Sequence, residues 1–449
     1  MDLEQLGLSI LKKTQKRTTA DAEVYLTHSK DTSISVLNQN IEEIKTSEEQ
    51  GFSLRIVSKD KMGFAYSSDI GTEAIETCIN KALANHDYNA KDSNWALATK
   101  VATAQKDLNI YDPAIEKLSL DEKIPLALTI EKAAHDFDKR ISKTEQAGYQ
   151  DNISTTYLLN TLGINNKYSA TYCGGMADMI AEEKKQMESG NDLDFATHLN
   201  EFQSKLVGER AAQQACQMLG ARIPDTQKCN IVLSAEVGIQ FLALLSSLFL
   251  ASNVQKGKSL FAHKLGQTLA STKLTLIDDG LLPKHLGTAP FDGEGTSAKN
   301  TVLLDKGVLK DYLYNIYTAN KEKKSSTGNA IRANFTTLPE VAPSNIYLEP
   351  GEIPLDSLLN KAGRGVFITK VMGMHTANPI SGDFSIGIAG LTIENGKLNK
   401  PVRGGAIAGN LIELIKSVTE LGNDIRFLPF FGNIGSPSLL ISKISLSGA

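Results

Sequence analysis

The sequence predicts an α+β protein whose two halves differ in character. The N-terminal region reads as antiparallel strands with helices. The C-terminal region reads as a strongly curved, barrel-like antiparallel β-sheet domain with covering helices. Three observations carry this. Segments rich in β-branched and aromatic residues alternate with segments of helical periodicity in the N-terminal half. From Lys273 onward the chain is strand-rich and punctuated by glycine. In "GDFSIGIAGLTIENGK", Gly382 to Lys397, Phe384, Ile386 and Ile388 alternate on one parity, Leu391 and Ile393 on the other. The phase slips near Ala389–Gly390, as it does at a β-bulge, and a bent strand suits a curved sheet. The expected divisions are an α+β subdomain over 1–90, a central α+β subdomain over 91–225 and a β-rich domain over 226–449.

The elements follow in order. Glu23–Ser29, Thr32–Asn38, Gly51–Val57 and Met62–Ser68 read as strands, the last two joined as a hairpin by "SKDK". Ala74, Ile75, Cys78, Ile79, Ala82 and Leu83 share a helix face, which makes Cys78 a core thiol. Ala90–Lys117 is a polar connector. Ser119 and Glu122 have capping-box spacing at the start of a helix that contains Pro125 early and carries Ile124, Ala127, Ile130, Ala134 and Phe137. Strands are expected over Lys143–Gln150, Ile153–Leu159 and Tyr168–Met176. "EEKKQMESGND" reads as a solvated turn or edge, and a helix over Lys205–Leu219 ends at Gly220.

"IPDT" breaks the pattern at Ile223–Thr226, and "CNIVLS" is a buried strand. Ser234 can cap the apolar helix after it. "FLALLSSLFLA", Phe241–Ala251, is the most apolar run, too short to span a bilayer, which takes ~20 residues; it reads as a core helix. "LLDKGVL" (Leu303–Leu309) and "TIENGKL" (Thr392–Leu398) read as hairpins whose glycines supply positive φ. A final helix carrying Leu411, Leu414, Ile415, Val418 and Leu421, stopped by Gly422, would cover the curved sheet.

Composition excludes some classes. The 449 residues are 41% hydrophobic and 22% charged, which fits an ordinary soluble protein of two or three domains. Lys plus Arg number 47 and Asp plus Glu 51, so the net charge of −4 offers no broad surface for nucleic acid. The N-terminus shows no secretory pattern. Four cysteines, none in a C-x-x-C pair, suit a reducing cytoplasm.

No catalytic constellation stands out. The seven histidines lie more than five residues apart, so no H-E-x-x-H or H-x-H pair exists. His263, His285 and His375 could meet only through the fold. Around Ser385, Asp383 stands where a nucleophile elbow needs the first of its two glycines, and Ser58 with Lys61 sits on a hairpin turn. "GEGTSAKN", Gly293–Asn300, lacks the Gly-Lys-Ser/Thr ending of a phosphate loop and reads as a mobile glycine loop. Asp278–Asp279 before Gly280 looks like a turn. Asp383 and Glu394 occupy two limbs of one β segment, and no acid–base role is assigned to them.

The chain resembles the TldD/PmbA family, often labelled modulators of DNA gyrase and classed as metallopeptidases. The resemblance rests on "GFSLRIVSKDKMGFAYSSD", "SSTGNAIR", "SNIYLEPG" and, most strongly, "HTANPISGDFSIGIAGLTIENGKLNKPVR" with "IAGNLIELI" and "LGNDI" after it. In this family the TldD type carries H-E-x-x-x-H on a helix, binding zinc, and a later cysteine ligand. The matching helix here follows Ser234. Leu242, Ala243 and Ser247 stand where the first histidine, the glutamate and the second histidine would, and no cysteine follows Cys229.

That departure resembles the PmbA (TldE) type of subunit. The resemblance implies a non-catalytic half of a heterodimeric peptidase acting on unfolded or flexible peptides. It implies no catalytic, metal-binding or cofactor-binding residue and no cofactor in this chain, with zinc supplied by a TldD-type partner. Direct contact with nucleic acid or membrane is not expected. The curved C-terminal sheet would hold an extended peptide or frame the surface that does. The alternative is a stand-alone, homodimeric peptide-binding or regulatory protein.

Overall fold

The computed structural model describes residues 3–99, 107–430 and 432–449. The N-terminal elements are α1 (Leu3–Gln15), β1 (Asp21–Leu37), β2 (Asn40–Ser58), β3 (Lys61–Ser67), α2 (Thr72–Tyr88), α3 (Pro113–Lys117), α4 (Leu120–Phe137), β4 (Ile141–Asn160), β5 (Asn165–Glu183), β6 (Gln186–Ala196) and α5 (Ser204–Met218). Their strands form one antiparallel sheet in the order β3-β2-β1-β4-β5-β6, curled into a half-barrel. β1 pairs with β4 along its length, so strands from 1–90 and from 91–225 share one sheet.

Several strands are longer than their sequence signals. The two expected over Glu23–Asn38 are one strand, as are the two over Lys143–Leu159. Polar residues between the apolar runs stay in the ladder because backbone pairing does not depend on side-chain polarity. The β2–β3 turn uses Lys59 and Asp60, both at positive φ, as a two-residue hairpin turn requires. The capping box at α4 forms: the Glu122 carboxylate accepts the Ser119 N–H at 2.9 Å. Helices cover one face of the sheet. Val24, Leu26, Leu54 and Leu159 pack with α1 and α2 residues, and Ile34, Tyr149 and Cys173 pack with those of α4 and α5. Cys78 is a buried core thiol.

The C-terminal elements are β7 (Gln227–Leu233), α6 (Ala235–Ser246), α7 (Ala251–Gln255), β8 (Leu276–Asp279), β9 (Asn300–Asp305), β10 (Val308–Leu309), α8 (Ile316–Lys321), β11 (Ala330–Ile331), β12 (Glu340–Val341), β13 (Asn345–Leu348), α9 (Leu355–Ala362), β14 (Gly365–Met372), β15 (Asp383–Glu394), β16 (Lys397–Asn410), α10 (Leu411–Lys416), β17 (Val418–Leu421), β18 (Arg426–Leu428), β19 (Asn433–Ser436) and β20 (Leu439–Ser447). The order β16-β15-β14-β7-β20 closes through a β16–β20 pairing into a five-stranded barrel. The barrel is antiparallel except for the parallel β7–β14 pair. A second sheet runs β10-β9-β8-β13-β19-β18. Ser234 caps α6 by accepting the Val237 N–H, and the apolar face of α6 joins the largest core cluster.

The bulge expected near Ala389–Gly390 is present: β15 shifts register against β16 between Ile388 and Ala389. Both hairpin turns form, at Lys306–Gly307 and Asn395–Gly396. The final helix differs. It ends at Lys416, and Val418–Leu421 is a strand paired with β20. The Ser417 hydroxyl bonds back to the Glu413 carbonyl at 2.7 Å, and β-branched Val418 and Thr419 take the extended form that β20 offers. Among the described residues, no helix is long and apolar enough to cross a membrane.

Candidate functional site

β1 and β2 turn Glu23 and Arg55 away from the helices, toward the C-terminal half. The two residues are direct cross-strand partners. Arg55 donates to both Glu23 oxygens at 2.9 and 3.1 Å and to Glu294 at 2.9 Å. Arg332 donates to Glu23 at 2.7 Å and to the Gly293 carbonyl at 2.7 Å. Its guanidinium also lies 4.7 Å from the centre of the Tyr25 ring. All four charged residues are buried, so two cations and two anions neutralise one another where water is excluded. Burial alone would weaken the Arg55 cation. The Glu23 and Glu294 carboxylates outweigh that and hold its pKa above the usual arginine value.

Glu294 corrects one expectation. The Gly293–Asn300 segment begins in a buried, locked turn. The Asp292 carboxylate accepts the N–H groups of Glu294 and Thr296, each at 2.9 Å, and of Ala330 at 3.0 Å. Glu294 also accepts the Ile316 N–H at 2.8 Å.

Beside this cluster lies a cleft of about 570 Å3 between the half-barrel sheet and the C-terminal half. The sheet contributes Tyr25, Gln150, Tyr168, Tyr172 and Phe195; the other wall includes Phe291, Asp292 and Arg332. Burial pushes the Asp292 carboxyl above its ordinary range, and the neighbouring Glu294 charge adds to the shift. The cleft therefore offers aromatic faces, hydroxyls, one side-chain amide, one guanidinium and one carboxylate. Such a surface can hold a flexible ligand without breaking bonds in it.

The sequence-derived candidates do not converge. His263 and His375 are exposed, and His285 stacks edge-on against Phe427 at 4.4 Å. Among the described residues, no three His, Cys, Asp or Glu side chains are grouped to hold a metal ion. Asp278 is not in a turn. It sits in β8, buried, and accepts hydrogen bonds from Ser344 and Asn329. Asp383 accepts from Asn410 and Glu394 from Asn399, at opposite ends of β15. Ser58 Oγ is 3.0 Å from His86 Nε2, and His86 Nδ1 is 3.1 Å from Asp87. Asp87 is exposed, and the same Nε2 lies 3.2 Å from the Ser58 carbonyl, so the contact fastens α2 to the end of β2.

The helix positions matched to the zinc motif do not fit a metal. Leu242 is in the core, 2% exposed, and Ala243 has no donor atom. Ser247 lies in the 3-10 turn after α6, and its hydroxyl donates to the Leu244 carbonyl at 2.9 Å. A hydrocarbon, a methyl group and an internally bonded hydroxyl cannot replace two imidazoles and a carboxylate.

β15 is hydrogen-bonded on both sides, to β14 and to β16. A peptide cannot add to it as a further strand along those edges, so Gly382–Lys397 frames the barrel. Glu23, Arg55, Glu294 and Arg332 are the residues that sequence reasoning missed. Their one signal was a charge inside an apolar run, as in "GFSLRIV".

Family profiles described as PmbA/TldA metallopeptidase domain 1, central domain and C-terminal domain match residues 22–85, 113–219 and 226–448. An uncharacterised protein of Methanocaldococcus jannaschii is 30% identical over 444 residues, 98% of this chain and 98% of its own length. Metalloprotease PmbA of Escherichia coli O157:H7 is 27% identical over 430 residues, 95% of this chain and 92% of its own. The crystal structure of TldE from Thermococcus kodakarensis superposes with a TM-score of 0.91 over 99% of this chain and 100% of that one; at 20% identity the likeness is one of fold. With every part of the chain but short linkers and termini matched in order, this protein belongs to the PmbA/TldD metallopeptidase family.

Proposed function

We propose that the chain is the zinc-free subunit of a two-subunit peptidase that acts on unfolded or flexible peptides. A TldD-type partner brings the zinc, and with it the polarisation of the peptide carbonyl and the activation of water. This chain's part is to complete the enclosure and hold the substrate, with the aromatic cleft beside Arg332 as the holding surface. The observation that supports the reading is the identity of Leu242, Ala243 and Ser247: at the positions that the resemblance matches to the zinc motif, this chain carries no ligand. The described residues offer no other cluster in its place. The acidic net charge favours a peptide over nucleic acid as the ligand, and four cysteines with no C-x-x-C pair suit a cytoplasmic setting.

Co-expression with an H-E-x-x-x-H relative from the same source tests this. The expected result is a co-purifying pair that degrades an unfolded substrate, with zinc assigned to the partner by elemental analysis of each separated chain. Stoichiometric zinc and full proteolysis in this chain alone would overturn it. Peptide binding with no partner retained would favour the stand-alone alternative.

A further inference from the structure

One end of the cleft gathers hydroxyls and rings beside Arg332. Thr156 of β4 and Tyr168 of β5 are direct cross-strand partners, and the Thr156 hydroxyl reaches the hydroxyls of both Tyr168 and Tyr25. All three side chains line the cleft. A hydroxyl carries more lone pairs than protons, so such a group keeps acceptors to spare after bonding within itself. Phe291 packs edge-on against Tyr168 with ring centres 5.1 Å apart, which leaves a face of one ring open. Asp292 follows Phe291 on the same wall.

The charges point the same way. Arg55 and Arg332 are balanced by Glu23 and Glu294. Asp292 and Asp278 stand outside that balance. Asp292 is held by the backbone N–H groups of Glu294, Thr296 and Ala330. Asp278 is held by Asn329 and by Ser344, itself a cleft residue. Among the described residues, neither carboxylate has a cation within ion-pair reach, and burial holds both above their ordinary range. A cation arriving in the cleft would draw them to the charged form. Arg332 does not make this an anion site. Its Nε donates to the Gly293 carbonyl, one terminal nitrogen to Ser53 and the Thr337 carbonyl, and the other to Glu23.

We propose that this end of the cleft receives a primary ammonium group of the held peptide, either a lysine side chain or a free α-amino terminus. The hydroxyls of Tyr25, Thr156 and Tyr168 accept its N–H groups. The Tyr168–Phe291 pair offers it a ring face, and Asp292 supplies the opposite charge. A compact ammonium with three donors suits a cluster of hydroxyls, whereas a guanidinium presents its donors as a flat fork. An uncharged group would leave both carboxylates unmatched. The inference deepens the holding role proposed above and rests on it.

Fluorescence anisotropy tests it, with flexible peptides labelled at an amidated C-terminus. They are titrated with the purified full chain, alone and co-purified with its partner under a chelator that stops cleavage. Three peptides share one sequence. The first has a free N-terminus and norleucine at the test position, the second is N-acetylated with lysine there, and the third is N-acetylated with norleucine. The expected result is that the first, the second or both bind roughly tenfold or more tightly than the third, and which of them does so names the source of the ammonium. The double variant Thr156→Val/Tyr168→Phe keeps bulk and ring but removes two acceptors. It should shrink that preference to roughly threefold or less, while its unchanged binding of the third peptide shows that the cleft is still formed. Equal binding of all three peptides would overturn the ammonium site and leave the holding role standing. A preference that the double variant does not alter would put the ammonium elsewhere and overturn the site as well. Failure of every peptide to bind either preparation would overturn the holding role and this inference together.

Discussion

Arg55 and Glu23 face each other across β2 and β1, joined by two hydrogen bonds, with neither side chain more than 2% exposed. Arg332 reaches the same carboxylate from a loop 309 residues away, so the N-terminal sheet and the C-terminal half share one buried anion. Its removal would leave two guanidinium groups out of water with only Glu294 between them. Glu23→Gln is therefore expected to cost about 3–5 kcal/mol of stability, read by denaturant titration. A loss below about 1 kcal/mol would show that water reaches the cluster and that it behaves as a surface pair.

A second ion cluster gives the fold a pH dependence of known sign. Asp192 of β6 meets Arg426 of β18 at 3.1 Å, and the same guanidinium binds Glu236 at the start of α6. Burial pushes Asp192 up to about 6 from 3.8, against the pull of Arg426 and Arg210. Between those values the folded chain binds a proton that the unfolded chain does not. The stabilisation is full below about 3.8 and is lost as pH rises through about 6. Asp192→Asn removes the titration. The stability of the original chain relative to this variant should fall on going from pH 4 to 7, by on the order of 1–3 kcal/mol. A difference that stays flat across that range would show that Asp192 titrates normally.

The parts of this fold that follow from neighbouring residues were legible. Asn395–Gly396 and Lys306–Gly307 encode their turns in two residues, Ser119 and Glu122 encode a helix start in four, and the slip at Ala389 encodes a bulge within one strand. What was not legible depends on distant partners. Val418 and Leu421 have helical spacing, yet β20 draws them into a strand. Glu294 reads as part of a glycine loop until Arg55, 239 residues earlier, is placed against it. The candidate site suffers most, because each wall of the cleft comes from a different half of the chain and no short motif records their meeting.

Leu242 ties α6 to the core by packing alone. It is 2% exposed in the main core cluster, beside Leu245 and Phe241. Leu242→His would place an imidazole with no hydrogen-bond partner in a hydrocarbon setting. The expected cost is about 2–4 kcal/mol, with no gain in zinc content by elemental analysis. A variant that kept its melting temperature and bound zinc stoichiometrically would show instead that α6 can present a metal ligand at this position.

Gly390 joins the bulge of β15 to the closure of the barrel. β14 shifts register against β15 between Ile368 and Lys370, and β15 shifts against β16 one residue before Ala389, so both neighbours bend at one level. There the backbones come so close that a Cβ on Gly390 would lie 1.9 Å from the Phe367 carbonyl oxygen. That obstacle is backbone in a paired strand and cannot rotate away. Gly390→Ala must push β14 and β15 apart or flatten the bend. Flattening would work against the β16–β20 pairing that closes the barrel, because those two strands meet only where the sheet curls far enough. The expected loss is about 1–3 kcal/mol, with amide exchange rising first at Ala406 and Ile407, the β16 residues of the closing pair. Gly387, in the same strand, has only the flexible Met372 side chain and its carbonyl at 3.4 Å or more, so Gly387→Ala should be close to neutral. Equal behaviour of the two variants would mean that strand propensity, rather than the close approach at the bulge, sets the requirement for glycine.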